Sequence, residues 1–527
     1  MIQLARRYFV AVLVWMFVRA GDEASGANIL MVPLASNSHA VMFGQLATGL
    51  VAEGHSVTVL IPTNTKVPGM LIEKGVMVYR YQGEKEQFVS SQAQSEIIIK
   101  FALAEGLWDT LKIAFTAPRD QDPHAHWAAD CEGLYNDTKL LQLLSSKHYD
   151  FAVLDAVYPP CGYSLAYKLD IPYASLSLAF MSPSFRVPHL SSQVPSLYTG
   201  TTDSMDFFQR LKNFFIDCLE FVITVNLKGN FVQKYAPEKK LISNLELVQR
   251  SKLWFYLHDP VLNFPRPRMP NVIFLGDLMA REAKPLSSDW EMIMSAKEGV
   301  ILVSLGTMLE GMPEELINVF YDGLGQVRQT VVMKKAGFIP SQVSGNILLK
   351  DWVPQNDLLA HPNLKLFISH CGQNSIVEAA FHGKPVLGIP LAYDQPFNGL
   401  VVKERGIGKL LKLGKFDASK LAAEIEEMLS NSSYKDAAKM VSEAFRDKQQ
   451  TAAQRASFWI NHVLEHGDEH LRTKAFELNI AQFMMIDIYL FLLFVFTLFL
   501  ILFYYCLRVS CRICRKCCPK RDKLKKA

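Results

Sequence analysis

Runs of four to six apolar residues alternate with stretches of helical periodicity, and the alternation occurs twice along the chain. In the first half, residues 29–33, 56–61, 151–154 and 173–176 are apolar or β-branched runs of strand length, with helical spacing over 41–52 and 163–168. In the second half, residues 300–304, 330–333, 347–350, 364–369 and 386–389 read as strands, with helices over 313–324 and 375–382. A strand apolar along its whole length is buried on both faces, and strands that alternate with helices form a parallel sheet covered on either side. The pattern predicts an α/β fold of two doubly wound, Rossmann-like domains facing across a cleft. Such domains bind ligands beyond the C-terminal ends of their strands. At 527 residues the chain is also long for a single core. Residues 85–130 and 180–250 are aromatic and helix-prone without clear strands, as expected of insertions forming a pocket for an apolar ligand. The Pro-rich FPRPRMP from Phe264, a strand over 272–275 and the polar stretch 280–288 place a domain boundary near residue 280.

Half of the residues are hydrophobic and a fifth are charged, which is rich in apolar mass for a soluble α/β enzyme. The two ends account for the excess. Arg6 and Arg7, an apolar run over 8–18, and Ala20 with Gly21 have the layout of a signal peptide over 1–20. Residues 488–507 carry no charge, and twenty residues make about 30 Å of helix, enough to cross a hydrocarbon core. Nine Lys or Arg against one Asp follow over 508–527, which turns the net charge of +4 into a property of the tail and leaves −4 for the rest. The positive-inside rule then keeps this tail in the cytosol and the folded part outside it, a type I orientation. No folded basic face with interleaved aromatics is visible, which argues against nucleic acid as a partner. The remaining expectations are domains over 21–280 and 281–470 and a juxtamembrane segment over 471–487. Lysines third and fifth from the end resemble a dilysine retrieval signal of the endoplasmic reticulum membrane; a basic stop after the span is the alternative. Four cysteines in the extracytosolic part make no disulfide framework. The cluster from Cys506 to Cys518 is read as acylated or without role. Sequons at Asn136 and Asn431 suit a lumenal glycoprotein.

The densest chemistry lies over 352–398. His370 and Cys371 end a strand, Gly372 permits close backbone approach, and Asn374 and Ser375 open a helix whose free amides and dipole make an anion site. Ser375 with Glu378 three residues on also fits a capping box that needs no ligand. Taken whole, the element W-x-P-Q…H-x-G-x-N-S…E…H-G-x-P…D-Q resembles the signature of the UDP-glycosyltransferases, the family that includes the UDP-glucuronosyltransferases. The resemblance extends to ILVSLGTM from Ile301, FWINHVL from Phe458, the membrane span and the lysine tail. It implies a GT-B arrangement and residency in the endoplasmic reticulum with the catalytic domains lumenal. Dimers are expected by analogy.

On this resemblance Trp352 stacks on uracil, Gln355 meets the base edge and Glu378 holds the ribose hydroxyls. His370, Gly372, Asn374 and Ser375, with the turn from Ser304 through Gly306 to Thr307, hold the diphosphate. Asp394 and Gln395 bind hydroxyls of the transferred sugar. In the first half, His39 stands in the loop SNSH before a helix and Asp155 ends a strand. A neutral His whose inner N–H is held by a carboxylate is the arrangement of a general base, and the family places its catalytic His and Asp at these positions. The expected reaction is an inverting transfer of a sugar, glucuronic acid first, from UDP to a hydroxyl or similar nucleophile of a small lipophilic acceptor. It requires no metal and no cofactor; His124 and His126 are read as acceptor-loop residues. The resembling glucuronosyltransferases carry an Arg where this chain has Leu257, with His258 and Arg266 as substitutes, and UDP-glucose or another UDP-hexose is the alternative donor. A membrane-anchored binding protein that kept the fold without the chemistry would not need the His39 and Asp155 pair. A hydrolase is disfavoured because no G-x-S-x-G elbow occurs.

Overall fold

The computed structural model describes residues 26–83, 92–104, 109, 112–113, 123–156, 161–178, 189–225, 230–306, 312–335 and 337–517. The signal segment, Thr307, Cys518 and the terminal lysines fall outside them.

Two all-parallel sheets organise residues up to Asp468 into one compact unit. The first contains β1 (Asn28–Val32), β2 (Ser56–Pro62), β3 (Met77–Tyr81), β4 (Phe151–Asp155), β5 (Tyr173–Ser177), β6 (Leu253–Tyr256) and β7 (Val272–Phe274). Their order is β3-β2-β1-β4-β5-β6-β7. The second contains β8 (Val300–Ser304), β9 (Thr330–Lys334), β10 (Ile347–Lys350), β11 (Leu364–Ser369), β12 (Val386–Gly388) and β13 (Gly408–Leu410), in the order β10-β9-β8-β11-β12-β13. Both are doubly wound, and in both the order reverses beside the first strand, which opens the crevice where such folds bind ligands. Every residue of β4, β5 and β8 is buried, as their unbroken apolar runs require.

The helices that matter below are α1 (Asn37–Ala52), α2 (Pro123–Asn136), α3 (Cys161–Lys168) and α4 (Phe207–Val225) in the first half. In the second half they are α5 (Gln355–Ala360), α6 (Gln373–Phe381), α7 (Gln395–Glu404) and α8 (Ala452–His466). Helix α1 begins at Asn37, so His39 sits in its first turn rather than in a loop before it. Helix α8 returns to the first half, where Ser457 Oγ meets His55 Nε2 at 2.7 Å and a Cβ on Gly49 would stand 2.3 Å from that of Ala453. Arg455 reaches the Phe274 carbonyl at 2.7 Å, and Lys448 pairs with Asp259 at 3.1 Å. These contacts hold the two sheets as one body. Cys131 of α2 and Cys161 at the start of α3 form a disulfide.

The second unit starts at Glu469. It contains α9 (Ile486–Cys517), which over Ile486–Cys514 is long and apolar enough to cross a membrane, with a mean hydropathy of 2.7 over its 18 most apolar residues. The helix continues ten residues beyond the uncharged run, into the basic segment.

Candidate functional site

Parallel pairing of β1 with β4, with Val32 opposite Leu154, brings Asp155 alongside the chain as it leaves β1. Asp155 Oδ2 accepts the Leu34 backbone N–H at 3.0 Å and stands 2.6 Å from His39 Nδ1. That contact keeps the ring proton on Nδ1 and turns Nε2 away from the carboxylate as the acceptor. Both side chains are nearly buried, at 14% and 6% exposure, so the pair is shielded from water without being closed to a ligand. Burial works to lower the His39 pKa; the charge and hydrogen bond of Asp155, with a further contribution from Asp394, outweigh it, and the net direction is upward. Asp394 belongs to the second half, so the ends of the two sheets face one another here.

On the second sheet, β8 and β11 are neighbours with Ser304 opposite Ser369. His370 follows β11 and lies between two glycines. A Cβ on Gly372 would stand 2.6 Å from its Nε2, and one on Gly306, where φ is +71°, 3.3 Å away. Burial, against a smaller opposing effect of the Ser304 backbone, pulls the His370 pKa down to about 4, so the ring is neutral. Its buried Nδ1 has no hydrogen-bond partner among the described residues. Cys371 adopts a φ of +62° to turn the chain into α6, and Asn398 Nδ2 braces the turn by donating to the Cys371 carbonyl at 3.0 Å. The same amide reaches Asp394 Oδ2 at 2.6 Å, while the Gln373 backbone N–H, at the start of α6, also helps hold this carboxylate. Burial is the largest effect on Asp394 and raises its pKa, partly offset by Asn398, these amides and His39.

Glu378, one turn into α6, accepts from Gln355 Nε2 at 2.6 Å, and the same amide reaches Ser375 Oγ at 3.2 Å. Burial pushes the Glu378 carboxyl up to about 7, with Gln355 and Arg281 acting the other way. Ser375 therefore joins a side-chain network, and α6 takes its N-cap at Gly372 without a side-chain cap, in place of the capping box its sequence permits. Trp352 is 75% exposed and belongs to no core. Asn374 is half-buried in the first turn of α6. Gln395 Oε1 accepts the Leu391 and Ala392 N–H groups at 2.9 and 3.1 Å, which braces the turn that carries Asp394. Leu257 is buried. His258 is buried against Phe274, and burial with the charges of Arg266 and Arg268 pulls its pKa down to about 3. Asn136 and Asn431 are both exposed, the latter capping the helix that starts at Ser432. Sequence reasoning missed Asn398, whose only signal was its place one turn after Asp394.

This geometry joins a shielded His–carboxylate pair on one sheet to a glycine-flanked neutral histidine, a helix N-terminus and an exposed tryptophan on the other. Residues 27–523 match the family model described as UDP-glucoronosyl and UDP-glucosyl transferase, and the chain belongs to that family. It is a UDP-sugar glycosyltransferase by family. It is 29% identical to mouse UDP-glucuronosyltransferase 1-2 over 96% of its length and 94% of the relative's. It is 30% identical to human 2-hydroxyacylsphingosine 1-beta-galactosyltransferase over 91% of its length and 87% of that protein's. Among solved structures, spinosyn forosaminyltransferase SpnP covers 84% of the chain with a TM-score of 0.55 at 16% identity, and the calicheamicin glycosyltransferase CalG4 the same share with 0.53 at 15%. At that identity the two solved structures speak to the fold, the GT-B pair of doubly wound domains.

Proposed function

We propose that the chain transfers a sugar, glucuronic acid first, from its UDP donor to a hydroxyl of a small lipophilic acceptor, with inversion at the anomeric carbon. The observation that carries this reading is the His39–Asp155 pair facing Asp394 across the cleft. His39 Nε2 takes the acceptor proton as the acceptor oxygen bonds to the anomeric carbon and the bond to the diphosphate breaks. The proton stays on the imidazole, where Asp155 stabilises the cation. Trp352 stacks on the uracil, Gln355 meets its edge and Glu378 takes the ribose hydroxyls. Ser304, Gly306, Thr307, His370, Gly372, Asn374 and Ser375 surround the diphosphate, where preorganised donors meet the charge that develops as UDP leaves. Asp394 and Gln395 take hydroxyls of the transferred sugar, and Gln395 Oε1 also holds the turn that carries them. The proposed setting is the endoplasmic reticulum membrane, with α9 as a type I anchor, the two sheets lumenal, and Asn136 and Asn431 available for glycosylation.

Neutral UDP-hexoses are the second reading. Leu257, buried and apolar at the position where resembling glucuronosyltransferases carry an Arg, favours it, as does the similarity to galactosyltransferases. Product analysis tests both points. Full-length protein offered UDP-glucuronate, UDP-glucose or UDP-galactose with a phenol should release a β-glycoside from the α-linked donor. An α-linked product would refute the single displacement, and turnover of only a neutral donor would replace glucuronic acid.

A further inference from the structure

Tyr393 holds a left-handed backbone conformation, with φ at +58°. A bulky side chain adopts that conformation only against strain, because its Cβ crowds the neighbouring carbonyl. The turn that imposes it is fixed by its neighbours. Gln395 Oε1 accepts the Leu391 and Ala392 N–H groups, the Gln395 N–H donates to the Ala392 carbonyl at 3.2 Å, and Asn398 holds Asp394. None of these bonds uses the Tyr393 side chain, and glycine would make the same turn without strain. Strain of this kind concentrates where a side chain meets a ligand. The Tyr393 residue is 41% exposed, directly before Asp394.

A second exposed aromatic side chain stands near it, from the first half of the chain. Leu197 packs against Phe264 and against Phe397 of α7, which seats the segment before α4 beside the turn that carries Tyr393. Tyr198, next along, is 60% exposed by area. Its hydroxyl is nevertheless pushed up to about 12, by desolvation first and then by the charges of Glu220 and Asp394 and by Tyr393. A side chain that is both open and desolvated stands on the wall of a cleft. Asp394 lies near enough to His39 for its charge to act there as well, so the two tyrosines flank the ground between the base and the sugar-side carboxylate. We propose that Tyr198 and Tyr393 are specificity-determining residues of the acceptor site, two aromatic walls that select a planar ring over a saturated ring system of the same size. Stacked and edge-to-face contacts reward a flat π-system, and a puckered hydrocarbon cannot match them. That the ligand is an acceptor rests on the glycosyltransferase reading of the cleft; the pair of aromatic walls does not.

The test is calorimetric titration of the full chain, in detergent and saturated with UDP, with 2-naphthol and with decahydro-2-naphthol, its saturated counterpart. Comparing the ratio of the two Kd values between native and variant chains cancels partitioning into detergent. Each aromatic contact contributes about two- to tenfold, so the native chain should prefer 2-naphthol by roughly 5- to 100-fold. Tyr393→Leu and Tyr198→Leu should each reduce that preference by about two- to tenfold, with UDP affinity unchanged. Tyr393→Gly should reduce it equally without lowering the melting temperature, because the backbone strain is relieved. A native chain without the preference would overturn the proposal, as would variants that keep it or that weaken both ligands by the same factor. A Tyr393→Gly chain that melts several degrees lower and keeps the preference would also overturn it, since the ring then serves only to pack the turn. Preference for 2-naphthol without its turnover by any UDP-sugar would count against the glycosyltransferase reading and leave the aromatic walls standing.

Discussion

Replacing Asp155 with Asn separates the rate contribution of the carboxylate from its effect on the His39 proton. The amide keeps an oxygen for the Leu34 N–H and so preserves the turn after β1, but it removes the charge 2.6 Å from Nδ1. A hydrogen bond to a charged group contributes about 1.5–3 kcal/mol. At about 1.4 kcal/mol per tenfold, the plateau kcat/KM should fall roughly 10- to 100-fold. The pH dependence moves at the same time. In the native protein Asp155 outweighs burial and holds the His39 pKa above 6.5. Activity that needs the unprotonated ring therefore rises with pH through a limb above 6.5. In the Asn variant burial is no longer outweighed, so the limb shifts to lower pH while the plateau drops. UDP release measured from pH 5 to 9 reads both effects, with UDP affinity as the control for folding. A lower plateau with an unmoved limb would refute the coupling, and a variant within twofold of native would remove Asp155 from the mechanism.

Three further substitutions probe the nucleotide side. Gly372→Ala places a Cβ 2.6 Å from His370 Nε2, and a forced displacement of about 1 Å should cost on the order of 100-fold in turnover with the pH limb unmoved; native turnover would show that His370 can move aside freely. Glu378→Gln removes a carboxyl whose folded pKa is raised to about 7. Its stabilising contribution is full below 4.5 and is lost as pH rises through 7, so above pH 7 the variant should be the more stable of the two, by up to about 3 kcal/mol, and bind UDP more weakly. Parallel melting temperatures across pH 4 to 8 would contradict this. Trp352→Ala should weaken UDP binding by about 1–3 kcal/mol, the contribution of one stacked base, without changing the melting temperature, because the side chain is 75% exposed. An unchanged UDP affinity by calorimetry would place the uracil elsewhere.

The central strands and the glycine-flanked turn were legible because buried parallel strands are apolar along their whole length and strand ends fix where ligands bind. Edge strands were not: β3 reads MVYRY and β13 reads GKL, neither of them a continuous apolar run. Strand β6, LWFY, was hidden against the Pro-rich segment that follows it. The polar SNSH read as loop, yet Asn37 already starts α1, with its side chain accepting the Lys66 N–H at 2.9 Å. The Cys131–Cys161 bridge had no sequence signal, since cysteines 30 residues apart meet only through the packing of α2 and α3. Residues 180–250 read as aromatic and helix-prone, but the sequence could not say that the polar face of α4 is the buried one, because that depends on Asn213 and Asp217 finding partners in the segment before it. That Gln395 also braces its own turn was not legible, because its bonds to the Leu391 and Ala392 amides depend on how the chain turns before α7.

The central claim, that His39 is the base of a UDP-sugar transfer, is tested most directly by single-turnover UDP release from the full chain and its His39→Ala variant, each reconstituted and saturated with donor and a phenol. The account predicts release from the native chain with at least one donor, and loss of that release in the variant while UDP affinity stays within about threefold, since His39 belongs to the first sheet and the proposed nucleotide site to the second. Undiminished release from the variant would contradict it.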